Sequence, residues 1–502
     1  MLKKPSNILF FTVVLALFLR LGGISHGFPY IFHPDEPTIV RSALEIRFNS
    51  NPGHFDWPHL YIYFNYFVYM GFAYLRDLLV NLNIKPALSA MLPIIWNDDL
   101  IFYLITRIIS AVLGALTLIP IYLIGKKLFN EKVGLLAAFG YATFPFQVWH
   151  SHYTMPDTPM VFLLSWGIYY CAKILTEKDY ANYILAGFFF GLSASTKYNG
   201  VLGIFLIPLA HLLAPGYSRA VKDVNSRKLR FFDTLILLVA AGLSSVLGFV
   251  IGTPYAVFDY KTFIRADSAI GALWQFTNVG SVNMLQNIDL IASGIFIKVG
   301  DDVSYIALLG MIVVGLFIIY KFFTRKTDEY DYASTLLFIP AAILLVYVAS
   351  YEKSRSHYFF ITYPYLAIFF GYFTNLVFSL IRKKSVMGSF MALGVLIFLP
   401  LYFSFIVTLR YINNDTRVDL ASWGKSHLSS NNSVLYDAND LKGVISDITN
   451  NYRSESKIGP GEIYDYYISG EGKNPGDGYT QIYIIDNNLR LGPKISVYKR
   501  VI

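Results

Sequence analysis

Residues 8–27 read ILFFTVVLALFLRLGGISHG, and the motif His33-Pro34-Asp35-Glu36 follows shortly afterwards. The apolar run has about the 20 residues that a helix needs to cross a bilayer. Two adjacent carboxylates at the edge of a membrane are costly, and such groups usually belong to a functional site. The start of the chain therefore predicts an integral membrane protein with its chemistry at the end of a span.

The rest of the chain has the same apolar character. Of its 502 residues, 55% are hydrophobic and 15% are charged, and the mean hydropathy is +0.47. A soluble domain of this length could not bury so much apolar surface, so the bilayer must solvate most of it. The formal net charge of +8 does not indicate nucleic acid as a partner, because Lys and Arg lie in short loops between apolar runs. The single cysteine, Cys171, excludes an intramolecular disulfide.

About eleven apolar segments are predicted to span the membrane, which makes the fold class an all-α polytopic membrane protein. The predicted spans are Ile8–Gly27, Phe102–Gly125, Val133–Trp149, Pro159–Ala172, Tyr183–Thr196, Val201–Leu213, Leu235–Thr253, Tyr305–Phe322, Thr335–Ala349, Phe360–Ile381 and Phe390–Leu409. The first has no small-residue cleavage site, so we expect an anchor and not a signal peptide.

Basic residues in alternate loops set the predicted orientation. They are Lys3/Lys4, Lys126/Lys127/Lys132, Lys173/Lys178, Arg219 to Arg230, Lys321/Arg325/Lys326 and Arg382/Lys383/Lys384. Because positive loops stay inside, we expect these loops and the N-terminus in the cytoplasm of a multi-pass protein of the cell membrane.

This orientation requires that His59–Val80 is not a crossing. The segment is rich in Tyr and Phe and is interrupted by Arg76-Asp77, as expected of a helix that lies in the membrane interface. The alternative, a true span, would move the later basic loops to the outside. We prefer the interfacial helix, which forms part of the first outer loop.

The chain changes character near Tyr411, where hydrophobicity falls and Asn, Asp, Ser and Gly become frequent. Alternating apolar stretches at Ser433–Tyr436 and Gln481–Ile485 predict strands, with helical segments between them. We therefore expect a membrane domain over residues 1–410 and a small extracytoplasmic α/β domain over residues 411–502.

Chemistry-bearing side chains collect at the predicted outer ends of the spans. Five outer segments carry them: His33-Pro34-Asp35-Glu36, His150-Ser151-His152-Tyr153-Thr154-Met155-Pro156-Asp157, Thr196-Lys197-Tyr198-Asn199-Gly200, the loop Pro254–Ser304, and Glu352-Lys353-Ser354-Arg355-Ser356-His357-Tyr358. Carboxylates and imidazoles beside ammonium and guanidinium groups suit acid/base chemistry next to a phosphate.

Several of these motifs resemble those of a known family. The motifs are the His-Pro-Asp-Glu loop, Trp57-Pro58-His59-Leu60-Tyr61, Lys126-Lys127-Leu128-Phe129, Met155-Pro156-Asp157 and Gly191-Leu192 with Thr196-Lys197-Tyr198. Over residues 1–410 the chain is similar to the dolichyl-phosphate-mannose–protein mannosyltransferase-like membrane glycosyltransferases of the GT-C fold, which include the lipid A aminoarabinose transferases.

The resemblance implies a catalytic role for Asp35, Glu36 and Asp157. It also implies inverting transfer of a sugar from a polyprenyl-phosphate donor to an acceptor hydroxyl. The acceptor can be a protein, a glycan or a lipid, and the surrounding membrane lipids are further partners.

The residue types suggest individual roles. Asp35 is our candidate for the general base, whereas Glu36 could orient the acceptor or hold Asp35 in place. Lys197 and Arg355 could stabilise the departing phosphate. Further hydrogen bonds to phosphate or sugar are expected from Tyr198, His357 and Tyr358.

A metal is not compulsory for this chemistry, so no cofactor is certain. His33, His150 and His152, together with Asp35 and Asp157, could bind a divalent cation, or the histidines could contact the acceptor.

Simpler interpretations remain open. The acidic pair could cap the helix that begins near Pro37, Lys197 could extend from a span end to water, and Arg355 could pair with Glu352. The alternative function is a lipid or sugar transporter or flippase, which would instead place ionisable groups near mid-membrane.

Overall fold

The structure is a computed structural model that describes residues 4–177, 179–222, 231–277, 287–324, 327–352, 354–455, 458 and 462–501. Parts of the predicted basic loops lie outside the described residues, namely Lys3, Lys178, residues 223–230, Arg325 and Lys326. Lys353 of the last outer segment lies outside them as well.

The described chain is mainly helical. The α-helices are α1 (Pro5–Leu21), α2 (Glu36–Glu45), α3 (Leu60–Asn81), α4 (Lys85–Met91), α5 (Asp98–Leu116), α6 (Leu118–Leu128), α7 (Glu131–Ala142), α8 (Pro145–His150), α9 (Asp157–Thr176), α10 (Ala181–Ala194), α11 (Leu206–Ala220), α12 (Phe231–Gly252), α13 (Tyr255–Phe258), α14 (Tyr260–Phe263), α15 (Ala272–Thr277), α16 (Ile288–Ser293), α17 (Gly300–Asp302), α18 (Tyr305–Thr324), α19 (Glu329–Ala349), α20 (Tyr363–Arg382), α21 (Val386–Ile412), α22 (Thr416–His427) and α23 (Lys442–Ile448).

Shorter elements complete the structure. Segments of 3-10 helix cover Pro93–Trp96, Tyr198–Phe205, Ser356–Thr362 and Asn439–Leu441, and a π-helical segment covers Gly294–Val299. The strands are β1 (Ser433–Tyr436), β2 (Asn451–Ser454), β3 (Tyr466–Ser469), β4 (Tyr479–Ile485) and β5 (Ile495–Arg500).

Membrane-compatible helices dominate residues 98–412. Among the described residues, eight helical stretches are long and apolar enough to cross a bilayer, and Pro5–Leu21 and Ala181–Ala194 are apolar but shorter. The prediction of an integral membrane protein is therefore confirmed, whereas the number of eleven spans stays a prediction. α3 has 22 residues but is not among the eight stretches, and its position in the membrane interface stays a prediction.

A proline divides the predicted span Val133–Trp149 into α7 and α8. Pro145 is the first residue of α8, and Phe144 before it has extended backbone angles (φ −69°, ψ 115°). Contact with the proline ring drives the preceding residue out of the helical region. His150 consequently lies at the end of a separate short helix.

Glycine residues bring α10 and α12 close together. A Cβ at Gly187 would lie 2.1 Å from the Ala241 carbonyl oxygen, and one at Gly191 would lie 2.0 Å from the Ser245 carbonyl oxygen. Small residues let helix backbones approach each other in membranes, where helix packing depends on van der Waals contact. Because Lys197 lies just beyond α10, this packing fixes the point from which its side chain projects.

The last part of the chain forms a five-stranded sheet with the strand order β2-β1-β3-β5-β4. β1 pairs in parallel with β2 and β3, whereas β5 pairs in antiparallel fashion with β3 and β4. The predicted strands correspond to β1 and to most of β4, and α22 and α23 pack together beside the sheet. The predicted α/β character is confirmed, and the domain boundary after residue 410 stays a prediction.

This C-terminal region contacts the segment that leads to Asp35. The Tyr30 hydroxyl donates to Asp447 at 2.6 Å, and the Arg417 guanidinium lies 3.6 Å from the centre of the Phe32 ring. Both aromatic side chains pack against the apolar core of the sheet. The sheet thus anchors the first outer segment.

Candidate active site

The five outer segments meet at one cavity of about 250 Å³, which we call the polar cavity. Its lining residues are Asp35, Asp56, Trp57, Pro58, Met155, Lys197, Tyr198, Asn199, Gln275, Phe276, Tyr351, Arg355, His357 and Tyr358. Each segment contributes at least one side chain, so distant parts of the chain converge as the sequence predicts. The remaining candidates do not line the cavity; they are Glu36, Asp157, His33, His150 and His152.

Asp35 presents an unengaged carboxylate to the polar cavity. It is the residue before α2, yet its side chain does not cap that helix. Within the described residues the carboxylate has no hydrogen-bond or ion-pair partner, and the backbone N–H of Asp35 donates to His33 Nδ1 at 3.3 Å. A carboxylate without an internal partner is free to accept a proton from a bound ligand.

Glu36, the next residue, is fully buried and neutralised by Arg107 from α5. The guanidinium donates from Nε to Oε1 and from Nη2 to Oε2, both at 2.8 Å. The Thr154 backbone N–H donates to Oε1 at 3.0 Å, and Arg107 Nη1 donates to two carbonyl oxygens of the first outer loop. These bonds join the first loop, α5 and the turn before α9, so they fix the position of the neighbouring residue, Asp35.

Asp157, the first residue of α9, is also fully buried. Lys197 Nζ lies 2.5 Å from its Oδ1, and His150 Nε2 lies 3.3 Å from its Oδ2. The Lys197 ammonium also lies 5.7 Å from the centre of the Tyr358 ring. Asp157 therefore holds Lys197 at the wall of the polar cavity.

The last outer segment supplies an unpaired cation. Arg355 is exposed, and among the described residues it has no carboxylate partner, so the ion pair with Glu352 is not observed there. The rings of His357 and Tyr358 lie beside it, with their centres 4.5 Å apart. Arg355 is thus available to bind an anion in the cavity.

The hydroxyl proton of Tyr198 is directed away from the cavity. It is donated to the carbonyl oxygen of Phe55 at 2.8 Å. The phenolic oxygen can still accept a hydrogen bond from a sugar hydroxyl, whereas donation to a phosphate would require the bond to Phe55 to break.

The histidines considered for a metal or for the acceptor have structural contacts. His152 packs its ring on Tyr411, with the ring centres 3.8 Å apart, and its two ring nitrogens face the carbonyl oxygens of Val148 and Gly22 at 2.8 and 3.0 Å. Burial lowers the pKa of His152 to about 4 and also lowers the pKa of His33. Neither nitrogen of His152 is free to bind a metal ion.

The proposed divalent cation has no ligand set in the described part of the chain. There, no three His, Cys, Asp or Glu side chains are grouped so that they could hold a metal ion. His150 instead stacks on His357, with the ring centres 6.0 Å apart. A metal requirement therefore stays a prediction from the sequence.

Two parts of the site were missed in the sequence. Arg107 lies inside a predicted span, and a charged residue there usually needs a buried partner, so its position was an available signal. Asp56 also lines the polar cavity, next to the motif that begins at Trp57, but no pattern in the sequence distinguishes this carboxylate.

An apolar groove of about 430 Å³ lies next to the polar cavity. It is lined by Leu202, Phe205, Leu206, Leu209, Ile339, Pro340, Ile343, Leu344, Tyr347 and Tyr365. The rings of Tyr347 in the groove and Tyr351 in the cavity are 5.1 Å apart. The two sites are therefore neighbours, one suited to a hydrocarbon chain and the other to polar groups.

Comparison with known proteins gives a family match over part of the chain. Residues 103–246 match the family model described as dolichyl-phosphate-mannose-protein mannosyltransferase. No curated protein sequence matches the chain. The resemblance predicted from the motifs is confirmed by this match.

Solved structures share the architecture. The oligosaccharyltransferase from Archaeoglobus fulgidus in complex with zinc and sulfate has a TM-score of 0.50 at 12% identity, over 92% of this chain and 68% of that one. The oligosaccharyltransferase AglB from Archaeoglobus fulgidus in complex with an inhibitory peptide and a dolichol-phosphate has a TM-score of 0.50 at 11% identity, over 93% of this chain and 69% of that one. ArnT from Cupriavidus metallidurans bound to undecaprenyl phosphate has a TM-score of 0.49 at 11% identity, over 99% and 98%.

The chain spans 64% of the Archaeoglobus enzyme in its apo form. At these identities the similarity concerns the fold. The chain thus has the GT-C fold of these membrane glycosyltransferases, and over residues 103–246 it resembles the dolichyl-phosphate-mannose–protein mannosyltransferases.

Proposed function

We propose that the protein is a glycosyltransferase that transfers a sugar from a polyprenyl-phosphate donor to an acceptor hydroxyl, with inversion. One observation carries this proposal. The unengaged carboxylate of Asp35 and the cationic groups of Lys197 and Arg355 line the same cavity. A base for the acceptor and cations for a leaving phosphate are the groups that this reaction needs.

In this mechanism Asp35 accepts the proton of the acceptor hydroxyl while the hydroxyl oxygen attacks the anomeric carbon. The bond between that carbon and the phosphate oxygen breaks, and its electron pair leaves with the lipid phosphate. Arg355 and Lys197 stabilise the charge that develops on the phosphate. Glu36 and Asp157 act as positioning residues, since their carboxylates are occupied by Arg107 and by Lys197.

Two further observations support a lipid-linked donor. The apolar groove beside the polar cavity can take the hydrocarbon chain while the phosphate reaches the cations. The Archaeoglobus enzyme, which shares the fold, has been solved with a dolichol-phosphate. The acceptor, whether a protein, a glycan or a lipid, is open in this proposal.

We place the polar cavity and the C-terminal sheet on the extracytoplasmic side of the cell membrane. Two of the predicted cytoplasmic loops lie together, because Lys127 and Lys173 both pair with Glu177, at 2.6 and 3.3 Å. The cavity is formed by the loops at the other ends of the helices. With basic loops inside, the cavity faces out.

The test is a transfer assay with purified protein in liposomes that contain polyprenyl-phosphate-linked sugars and candidate acceptors. We expect transfer by the wild type and a loss of at least about 100-fold in Asp35→Asn, because the base is removed. Asp267→Asn is the matched control, since Asp267 is exposed and does not line the cavity. Movement of the lipid-linked sugar across the bilayer without transfer would overturn the proposal in favour of a transporter.

A further inference from the structure

The segment 56–58 forms part of the wall of the polar cavity and has no role in the mechanism described above. Asp56, Trp57 and Pro58 all line the cavity. The Asp56 side chain is 33% exposed, and the indole of Trp57 is partly buried. A carboxylate and an aromatic face therefore meet the same space as Asp35.

The Asp56 carboxylate is oriented by a hydrogen-bonded chain. His54 Nδ1 contacts Asp56 Oδ1, and His54 Nε2 lies 2.9 Å from the hydroxyl oxygen of Ser42 on α2. The order Ser-His-Asp is that of a hydrolase triad, but Ser42 is buried, with 8% exposure, and does not line the cavity. The group that lines the cavity is the Asp56 carboxylate. The hydrogen bonds from Ser42 through His54 therefore position a hydrogen-bond acceptor and not a nucleophile.

The backbone on both sides of Asp56 is fixed as well. The Phe55 N–H donates to the Ile270 carbonyl at 2.5 Å, and the Phe55 carbonyl accepts from Tyr198. His59 Nε2 lies 2.8 Å from the carbonyl oxygen of His54. A side chain held in this way meets its ligand without first losing conformational freedom.

We propose that Asp56 binds hydroxyl groups of the donor sugar and that Trp57 packs against the sugar ring. This inference rests on the proposed function. A carboxylate repels the phosphate, which the cations Lys197 and Arg355 attract, and it accepts hydrogen bonds from hydroxyl groups. The sugar therefore lies between the phosphate end and the wall that carries Asp56, and His54 is a positioning residue for it.

The experiment compares the binding of three lipids to detergent-solubilised protein: undecaprenyl phosphate, and undecaprenyl phosphate that carries mannose or glucose. We expect the wild type to bind at least one glycosylated lipid more tightly than the bare lipid. Asp56→Asn should reduce this preference about 10- to 100-fold, as expected for the loss of charged hydrogen bonds, and leave binding of the bare lipid unchanged. Asp267→Asn is the control.

His54 gives a second readout. His54→Ala should lower the preference for the sugar, whereas His54→Asn, which can still donate to Asp56, should keep part of it. A purely structural role would lower the melting temperature in both variants without a change in preference, and would overturn the assignment.

The two proposals can fail separately. Wild-type preference retained in Asp56→Asn would overturn the sugar assignment and leave the glycosyltransferase proposal intact. No binding of any of the three lipids by the wild type would contradict both.

Discussion

The first outer segment, residues 33–36, and the turn before α9, residues 150–157, both carry carboxylates at the end of a membrane helix, but they use them differently. In the turn, the Asp157 carboxylate is occupied by Lys197 and His150. In the first segment, Glu36 is occupied by Arg107, whereas Asp35 beside it has no partner within the described residues.

This difference distinguishes carboxylates that hold the loops in place from a carboxylate that can react with a substrate. A buried carboxylate in a salt bridge is committed to its cation, and removing that partner leaves an uncompensated charge. A carboxylate at a cavity wall without an internal partner contributes little to stability and is available to substrate. The two buried pairs thus hold the loops, and Asp35 is the group that they place at the cavity.

The largest expected effect comes from breaking the buried pair. Arg107→Ala should lower the free energy of unfolding by about 3–5 kcal/mol, because it leaves Glu36 buried as an unpaired charge. Thermal unfolding of the purified protein measures this, with Glu36→Gln/Arg107→Met as the variant that removes both charges and recovers part of the loss. Wild-type stability in Arg107→Ala would show that the pair does not hold the loop.

Replacing the unpaired cation Arg355 should affect donor binding and not stability. Arg355→Ala should leave the melting temperature unchanged, because Arg355 is exposed and has no carboxylate partner in the described chain. Arg355→Ala should raise KM for the donor about 10- to 100-fold, because a charged hydrogen bond to phosphate is lost. Arg355→Lys keeps the positive charge, so its KM should lie between those of the wild type and Arg355→Ala. Donor kinetics like those of the wild type would remove Arg355 from the phosphate site.

The turn should make stability depend on pH. Burial lowers the pKa of His152 from 6.5 to about 4, so the unfolded chain binds more protons between these values. Its contribution is complete above pH 6.5 and is lost as the pH falls toward 4, by about 1 kcal/mol between roughly pH 7 and pH 5.5. In His152→Gln, the free energy of unfolding should change less with pH across that range. An unchanged pH dependence would mean that His152 does not cause it.

The smallest effect concerns the contact between Tyr30 and the C-terminal sheet region. Tyr30→Phe removes an exposed hydrogen bond to Asp447, so stability should change by less than about 1 kcal/mol. Because Tyr30 lies on the segment that leads to Asp35, we expect a fall in kcat of about threefold or less, equivalent to roughly 0.6 kcal/mol, with KM unchanged. Tyr483→Phe on β4 is the control, and equal kcat in both variants would argue against coupling.

Most of the architecture could be predicted because it follows from local pattern. Apolar runs locate the membrane helices, and alternation of loops brings the outer segments to one face, where Asp35, Lys197 and Arg355 do line one cavity. The break at Pro145 was also open to prediction, since proline restricts the residue before it.

The pairing of charges could not be predicted in the same way. Whether Arg107 neutralises Asp35 or Glu36 depends on the rotation of α5 and on the path of the first loop, which no local pattern encodes. The same holds for Asp56, which reaches the cavity only because residues far along the chain hold Phe55.

The most direct test measures Asp35→Asn and Glu36→Gln side by side in the same membranes, for transfer rate and for melting temperature. We predict that Asp35→Asn melts like the wild type and transfers at least about 100-fold more slowly, whereas Glu36→Gln melts at a lower temperature. Normal transfer by a stable Asp35→Asn protein would contradict the account.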